Sequence, residues 1–403
     1  MRDGAPKSRK CSFFAKEFSS TLAYGGGLRD YNSQDAARTV PSPGEEAWGE
    51  MEREKNMSKK RKLDSSAQDS LYFESYADVT IHEEMLADTV RTDTYRRGIF
   101  RAGEQIQGKA VLDVGAGTGV LSVFCAQAGA RKVYAVEASS IAEQAARVVR
   151  LNGLADRVEV IRGTVESAEL PEKVDVIVSE WMGYALLHES MLNSVIFARD
   201  RWLRPGGLIL PERAELFVAP INHLVAEERL SFWSMVKGQY GVDMSCMTDF
   251  ARSCIMNGEI SVQPVSVEDV LSHPCRFGML DLHTVTPEQL KRVSGSFCCR
   301  CFGSSSLNAF CVWFAVTFPG EDGTQPLVLS TSPFKPETHW KQAVLYLDEP
   351  VDVVQDTRVE GSISMFPSEQ SSRHICIHVE YTIGEHKQKS KTFSIPDWGQ
   401  ESQ

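Results

Sequence analysis

The stretch that determines the fold of this 403-residue chain reads AVLDVGAGTG at residues 110–119. Its first half is apolar apart from one aspartate, which predicts a short buried strand. Three glycines follow (Gly115, Gly117 and Gly119) and lead into a helical run. Glycine lets the backbone turn tightly and approach a ligand without a Cβ in the way. On its own such a loop is a weak signal, and its meaning depends on the sequence around it.

Strand and helix patterns alternate on both sides of this loop. Strands are predicted at residues 132–136, 158–161 and 174–178, and helices at residues 120–128, 142–151 and 191–203. Strands separated by helices of this length indicate a parallel sheet with helices on both faces. We therefore expect an α/β domain over residues 71–211, with the helix at 191–203 stopped by the Arg-Pro-Gly-Gly sequence at 204–207.

After residue 211 the pattern becomes that of antiparallel strands. Alternating segments occur at residues 215–220, 310–318, 344–347 and 374–383, separated by turn residues. They predict an antiparallel β sandwich or barrel over residues 212–403. An aromatic-rich segment at about 230–256 interrupts this pattern.

Residues 1–70 are rich in Gly, Ser, Glu and Lys without sustained periodicity, and we expect them to be disordered. The basic run Lys-Lys-Arg-Lys at 59–62 has two open interpretations, a solvated patch or a nuclear import signal. We expect Met57 to be the physiological start of the protein.

The composition limits the classes of function. Residues 1–70 hold 13 Lys and Arg against 11 Asp and Glu, so the rest of the chain carries a net charge of −13. An acidic body argues against binding nucleic-acid phosphates and suits a basic substrate. We expect no membrane helix, since no apolar run approaches ~18 residues. The clustered Cys298, Cys299 and Cys301 lack a second pair at zinc-ligand spacing, so we expect structural thiols and no metal.

A second clue to the ligand is Glu137, about 20 residues after the glycine loop at the end of the next predicted strand. An acidic residue there binds ribose hydroxyls in folds of this kind. A solvated carboxylate is the alternative. The dinucleotide spacing is not met, because position 120 is valine and the third glycine comes one residue early. This favours a cofactor without a pyrophosphate.

With these features the chain resembles the class I S-adenosylmethionine methyltransferases, and more specifically the protein arginine methyltransferase family. The resemblance is strongest in three segments: YFESY at 72–76, HEEML at 82–86 and VRT at 90–92. They are similar to the family's N-terminal cofactor-closing helix. The resemblance implies that S-adenosylmethionine is the co-substrate, that Arg91 pairs with its methionine carboxylate, that His82 lies against it and that Glu166 reaches towards the adenine. Gly115 belongs to the cofactor loop.

Two glutamates, Glu180 and Glu189, follow the strand at 174–178 in a loop that is otherwise apolar and aromatic. Buried carboxylates need a partner. Solvated charges and a metal site are alternatives. The metal site is disfavoured because the third ligand would have to be His188, whose side chain points elsewhere if that of Glu189 points into the site. A guanidinium fits best, since it stays charged and two carboxylates can localise that charge, leaving one nitrogen able to attack a sulfonium methyl. The Glu-x8-Glu spacing is similar to the family's paired-glutamate loop.

The resemblance has further implications. His339, in a Thr-His-Trp sequence, pairs with Asp88 in the family; whether this pair orients the N-terminal helix or accepts the substrate proton stays open. Met85 and Met191 match positions that line the arginine pocket.

The resemblance extends over residues 57–392 and is to nuclear members that make mono- and asymmetric dimethylarginine on histone H3 tails and other Arg-rich proteins, regulating transcription. It also implies a homodimer formed through a helical arm at about 230–256. Two rival functions are a methyltransferase for a small molecule or nucleic acid, and a non-catalytic scaffold for chromatin partners.

Overall fold

The computed structural model describes residues 65–320 and 325–395. The predictions of disorder before residue 65, of a start at Met57 and of the basic run at 59–62 concern residues outside this range. The described part opens with four helices: α1 Ser65–Ser75, α2 Val79–Ala87, α3 Thr89–Arg101 and α4 Gly103–Ile106.

The expected disorder of residues 65–70 is wrong, because helix α1 begins at Ser65. This helix has almost no amphipathic pattern, which is why the sequence does not reveal it. It is held instead by distant contacts. The Gln68 side chain donates to the Gln370 carbonyl at 2.9 Å, and Asp69 pairs with Arg373 at 2.6 Å.

A parallel sheet of five strands forms the first half, in the order β3-β2-β1-β4-β5. The strands are β1 Ala110–Val114, β2 Lys132–Glu137, β3 Val158–Arg162, β4 Val174–Val178 and β5 Leu203–Leu210. Helices α5 Val120–Gln127, α6 Ala142–Leu151 and α7 Leu192–Trp202 connect them. Every residue of β1 is buried, as expected for the central strand of a sheet that is covered on both faces.

Helix α7 ends at Trp202, as the Arg-Pro-Gly-Gly sequence at 204–207 predicts, but the strand β5 that follows was not predicted. The sequence Arg-Pro-Gly-Gly lies inside β5 at a shift of register, and the residues of β5 that pair with β4 are Leu203 and then Leu208 to Leu210. Proline and glycine are poor in central strands but are tolerated at an edge, where one side needs no ladder hydrogen bonds. Since β5 is an edge strand of this sheet, it can contain these residues although local propensity does not predict a strand.

Two antiparallel sheets form the second half. The first contains β6 Arg213–Ile221, β7 Ser261–Gln263, β8 Cys275–Asp281, β10 Ser305–Phe318, β11 Leu327–Ser330 and β12 Gln342–Val353. The second contains β9 Val293–Arg300, β13 Arg358–Pro367, β14 Ile375–Ile383 and β15 Lys389–Ser394. Phe310 of the first sheet contacts Phe297 and Tyr381 of the second, with ring centroids 5.5 and 5.4 Å apart. The combination of a parallel sheet and an antiparallel barrel-like half confirms the expected fold class.

Helices α8 Leu224–Tyr240 and α9 Met247–Ile255 lie between β6 and β7, so the helical insertion begins earlier than residue 230. A 3-10 turn at Val267–Asp269 and the short helix α10 Pro287–Leu290 complete the elements. Cys298 and Cys299 on β9 are exposed and buried respectively, and both are free thiols.

The part of the chain that the structure describes contains neither a membrane-spanning helix nor a metal-binding cluster. None of its helices is long and apolar enough to cross a membrane. Nor does any group of three or more His, Cys, Asp or Glu side chains in residues 65–320 and 325–395 have the arrangement needed to hold a metal ion.

The two halves meet where helix α3 packs on the end of β10. The Tyr95 ring is fully buried and lies edge-on to Phe318, with centroids 5.0 Å apart. Gly98, one turn further along α3, leaves room for the same phenyl ring, since a Cβ there would stand 2.5 Å from Phe318 Cδ1. This junction fixes the N-terminal helices, which carry site residues, against the β half.

We expect Gly98→Ala to lower the stability of the protein. Alanine would favour the helix by roughly 1 kcal/mol over glycine. Forcing a methyl group against a buried phenyl ring costs about 1–3 kcal/mol, which is the larger effect. Thermal unfolding followed by circular dichroism should therefore show a lower Tm. Gly103→Ala is the matched control, because no atom lies within 4 Å of its added Cβ. Equal or higher Tm for Gly98→Ala would contradict this account of the junction.

Candidate active site

The glycine loop after β1 and the glutamate at the end of β2 are fastened to each other. Gly115 and Gly117 have φ angles of 71° and 54°, a left-handed conformation that favours glycine. The Gly117 amide donates to Glu137 Oε2 at 2.8 Å, and the Ser139 amide donates to Oε1 at 2.7 Å. Both carboxylate oxygens of Glu137 are therefore fixed by the backbone while the side chain lines a cavity.

This first cavity has a volume of about 360 Å³. Its wall brings together all the cofactor residues predicted from the sequence and both predicted glutamates: His82, Arg91, Gly115, Glu137, Glu166, Glu180 and Glu189. They come from five separate parts of the chain. Met85 and Met191 line the same cavity.

Packing explains the position of several of these residues. A Cβ on Gly115 would stand 2.2 Å from Met191 Cε, so only glycine fits beneath this methionine. His82 is buried, lies against Gly117 and has its Nε2 2.9 Å from the Tyr76 carbonyl. Glu166 is exposed and accepts a hydrogen bond from the Ser194 hydroxyl at 2.7 Å.

Arg91 and Glu180 form a buried ion pair. Arg91 Nε and Nη2 lie 3.1 and 3.0 Å from Glu180 Oε2, and Nη1 lies 3.2 Å from the Met85 carbonyl. The Met182 amide donates to Glu180 Oε1 at 3.2 Å. Their side chains are only 7% and 9% exposed. Removing one member of such a buried pair costs several kcal/mol, roughly 3–5, because the other charge is left uncompensated. Glu180 thus already contacts one guanidinium.

The hairpin that carries both glutamates has unusual backbone geometry. Four residues that are not glycine have positive φ: Ala185 at 49°, Leu186 at 75°, Glu189 at 77° and Ser190 at 59°. The left-handed conformation costs roughly 1–2 kcal/mol per residue for side chains with a Cβ. Such strain persists where the surroundings hold it, and it is concentrated at functional sites. Glu189 is itself one of the strained residues.

Two phenols hold the Glu189 carboxylate. The hydroxyls of Tyr76 and Tyr72 donate to Oε2 at 2.7 and 3.1 Å. Burial raises the pKa of Glu189 to about 7; hydrogen bonds from both tyrosines and the charge of Arg373 lower the pKa, whereas the Glu180 carboxylate raises it. The two glutamates therefore differ, since Glu180 is paired with a cation and Glu189 is held mainly by neutral donors.

Neighbouring elements support the hairpin from the β half. The Trp340 indole is buried and donates to the Met182 carbonyl at 2.8 Å. His188 packs against other rings, with its centroid 5.3 Å from that of His374, and lines the second cavity described below. Burial, followed by the charge of His374, lowers the pKa of His188 to about 3.

Asp88 and His339 are in direct contact. His339 Nδ1 lies 2.7 Å from Asp88 Oδ2, which also accepts the His339 amide at 3.0 Å. Asp88 Oδ1 accepts the Arg91 amide at 2.9 Å and so caps helix α3. Burial raises the pKa of Asp88, but the hydrogen bonds from His339 and from the Arg91 backbone outweigh it and leave the pKa below its usual value.

A second cavity, of about 430 Å³, shares part of its wall with the first. Glu180, Glu189 and Met85 line both cavities. The second one is also bordered by His339 and by residues of the β half. The two carboxylates therefore stand at a boundary that can be reached from two sides.

Sequence reasoning placed Tyr72 and Tyr76 in the cofactor-closing segment but missed their contact with Glu189, and it missed Arg373 altogether. Tyr72 and Tyr76 are four residues apart, the spacing that puts side chains on one side of a helical turn, and this signal was available. Arg373 and its ion pair with Asp69 gave no signal, because they are 304 residues apart and neither belongs to a motif.

Comparisons with known proteins agree with this geometry. Residues 111–207 match the family model for a methyltransferase domain, and residues 212–386 match the model for the arginine methyltransferase oligomerization subdomain. Together these matches cover the parallel sheet and most of the β half.

Curated relatives and a solved structure are similar over most of the chain. Protein arginine N-methyltransferase 6 of Danio rerio is 74% identical over 84% of this chain and 97% of its own length. The Xenopus tropicalis protein of the same name is 58% identical over 84% of this chain and 99% of its own length. The Trypanosoma brucei PRMT1 enzyme–prozyme heterotetrameric complex with AdoHcy contains a chain that is 34% identical, with a TM-score of 0.72 over 80% of this chain and 100% of that one. The chain is an enzyme that belongs to the protein arginine N-methyltransferase family.

Proposed function

We propose that this enzyme transfers methyl groups from S-adenosylmethionine to arginine guanidino nitrogens, giving mono- and asymmetric dimethylarginine. The observation that carries the proposal is the position of Glu180 and Glu189 on the wall shared by the two cavities. A methyl donor in the first cavity and an arginine entering from the second would meet at these carboxylates.

The residues of the first cavity fit S-adenosylmethionine, which would supply an electrophilic sulfonium methyl group. Glu137 is buried with both oxygens oriented by backbone amides, an arrangement suited to ribose hydroxyls. The glycines of the loop have no side chain, so the backbone can lie close to the cofactor. Arg91 lines the cavity, and its guanidinium, which is paired with Glu180 in this structure, is the cation available for the methionine carboxylate when the donor binds. His82 and Glu166 line the same cavity, which supports the contacts with the cofactor that we propose for them.

The paired glutamates orient the substrate guanidinium. This group stays charged near neutral pH and is a poor nucleophile while its charge is delocalised. Carboxylates on one side would draw the charge towards themselves, so that the remaining nitrogen keeps its lone pair for attack. Holding the reactants in line supplies much of the acceleration. Glu189 performs this role only when ionised, because a neutral carboxyl does not localise positive charge.

One proton has to leave the substrate nitrogen. We propose that Asp88 and His339 chiefly orient the helices α2 and α3, since Asp88 caps α3 and receives two hydrogen bonds from His339. Proton acceptance by the pair is the alternative, and His339 borders the second cavity from which the substrate would enter.

Arg-rich segments, including histone H3 tails, are the substrates that we propose, with a role in transcriptional regulation. The acidic charge of the chain after residue 70 favours basic partners. Glu84 and Glu259 add two carboxylates to the border of the second cavity. Nuclear localisation rests on the basic run at residues 59–62 and on the family resemblance.

We also propose that two copies associate through the arm formed by α8 and α9. Helix α9 has no buried residue. Several large apolar side chains of the arm are exposed: Phe232, Met235, Tyr240, Val242 and Phe250. A cluster of this kind usually marks an interaction surface.

Replacing either glutamate by glutamine should abolish most of the activity. Glu180→Gln and Glu189→Gln keep the shape but lose the charge, so we expect each to lower the rate by roughly 10² or more. The assay is incorporation of labelled methyl groups into an Arg-rich histone tail, with hydrolysis to separate the methylarginines. Glu159→Gln, on the exposed side of β3, is the control and should behave as wild type. Wild-type rates in both site variants would refute the proposed chemistry, and symmetric product would refute the product type.

Activity should fall on the acid side as Glu189 takes up a proton. Because burial raises the pKa of Glu189 to about 7, we expect kcat/KM to decrease as the pH falls through about 7. The groups facing this carboxylate are Tyr72, Tyr76, Glu180 and Arg373.

The variant Tyr76→Phe removes a donor that favours the charged carboxylate, so the acid limb should move to higher pH. Tyr134→Phe is the matched control, since that hydroxyl donates to Glu172, 3.2 Å away and outside the site. If the acid limb of the pH profile lay at the same pH in Tyr76→Phe and in wild type, Glu189 would be excluded as the group that causes it.

For His339→Gln, an orienting role predicts a lower rate with an unchanged pH profile. Near-normal turnover from about pH 6 to 9 would exclude a proton relay through His339.

The arm should hold two copies together at micromolar concentration. Sedimentation of the wild-type protein should show a dimer, and the double variant Phe232→Glu/Phe250→Glu should sediment as a monomer, because burying two unpaired carboxylates is strongly unfavourable. Val354→Glu places a charge on an exposed residue of the β half and should remain dimeric. A wild-type protein that sediments only as a monomer would refute the proposal.

A further inference from the structure

The loop between β13 and β14, residues 368–374, closes on the strained end of the glutamate hairpin. The Glu189 amide donates to the Arg373 carbonyl at 2.6 Å, and Arg373 Nη1 donates to the Glu189 carbonyl at 2.9 Å. The Ser190 hydroxyl donates to the carbonyl of Ser372. Both peptide groups of Glu189 are thus bound to Arg373 while this glutamate keeps its φ of 77°.

The same guanidinium reaches helix α1. Arg373 Nε and Nη2 lie 2.8 and 2.6 Å from Asp69 Oδ1. Arg373 Cζ also lies 3.9 Å from the centroid of the Tyr72 ring. The Tyr72 hydroxyl in turn donates to Glu189 Oε2. One side chain therefore contacts the backbone of Glu189 and the aromatic ring that helps to hold its carboxylate.

Charge and burial distinguish this arrangement from an ordinary surface pair. The Asp69 side chain is half exposed, whereas that of Arg373 is 17% exposed and covered by two aromatic rings. An exposed ion pair contributes little by itself. The planar guanidinium, however, satisfies acceptors in different directions at once, which a lysine ammonium on a flexible stem does not reproduce. The shape of Arg373 is what joins the three elements.

We propose that Arg373 is a positioning residue, which couples the seating of helix α1 over the first cavity to the orientation of the Glu189 carboxylate. Arg373 itself lines the first cavity, and the proposed effect on Glu189 acts through the Glu189 backbone and Tyr72. Since Tyr72 and Asp69 also line the first cavity, the same contact connects cofactor binding with the arginine side of the site. The inference rests on the catalytic role proposed for Glu189.

The test compares Arg373→Gln, Arg373→Lys and Asp69→Asn with wild type and with Glu189→Gln. The measurements are kcat, the KM for S-adenosylmethionine, the acid limb of the pH profile and the Tm. Arg292→Gln is the matched control, because Arg292 is also stacked on an aromatic ring, that of Phe366 at 4.5 Å, and has no part in the site.

For Arg373→Gln we expect kcat to fall roughly 10- to 100-fold, as for a misplaced catalytic group. Its acid limb should move to higher pH, because the charge of Arg373 lowers the pKa of Glu189. Arg373→Lys should return the limb to its wild-type position and recover only part of kcat. Asp69→Asn should raise the KM for S-adenosylmethionine, lower kcat less than Arg373→Gln does, and leave the limb in place. Arg292→Gln should match wild type.

Two results would overturn the inference. In the first, Arg373→Gln keeps the wild-type kcat and the wild-type acid limb while Glu189→Gln is inactive. The role of Glu189 would then stand, and that of Arg373 would fail. In the second, Arg373→Gln loses activity and has a lower Tm, while the pH of its acid limb and its KM for S-adenosylmethionine are unchanged. The loss would then come from general destabilisation. If Glu189→Gln itself kept wild-type activity, the proposed role of Glu189 would fail and this inference with it.

Discussion

The burial of two carboxylates on the wall between two cavities is the constraint on which the rest of the site depends. An unpaired charge removed from water is costly, so every such oxygen needs a donor or a cation. Glu180 has Arg91, and Glu189 has two tyrosines. These partners come from the N-terminal helices and the segment between them. The helices are held against the β half by Asp88 and His339 and by the junction at Phe318.

The β half acts as a frame for the hairpin. Trp340 binds the hairpin backbone near Glu180, and Arg373 binds it at Glu189. Without such bonds the four left-handed residues would relax, because the strain of roughly 1–2 kcal/mol at each is comparable to what one hydrogen bond contributes. A methyltransferase sheet alone would therefore not hold both carboxylates in place. This is a physical reason for the close packing of the two halves.

The sequence predicts those features of the protein that depend on residues close together in the chain. The fully buried strand β1, the left-handed glycines and the carboxylate of Glu137 all follow from residue type and spacing. Strand β5 was missed because its Pro and Gly are tolerated only through its place at the sheet edge. The start of helix α1 and the role of Arg373 were missed because both depend on contacts some 300 residues away, which no local pattern encodes.

The difference between the two glutamates suggests how the site recognises a cation. Glu180 already shares the guanidinium of Arg91, whereas Glu189 has neutral hydroxyl donors at its carboxylate and a pKa raised to about 7 by burial. An arriving guanidinium favours the charged form of Glu189 and so lowers its pKa. A neutral amide or hydroxyl substrate would not lower the pKa of Glu189 in this way, and nothing would offset the cost of burying the charged carboxylate. We therefore propose that selectivity for a permanently charged side chain depends on the burial of Glu189 as well as on the shape of the cavity.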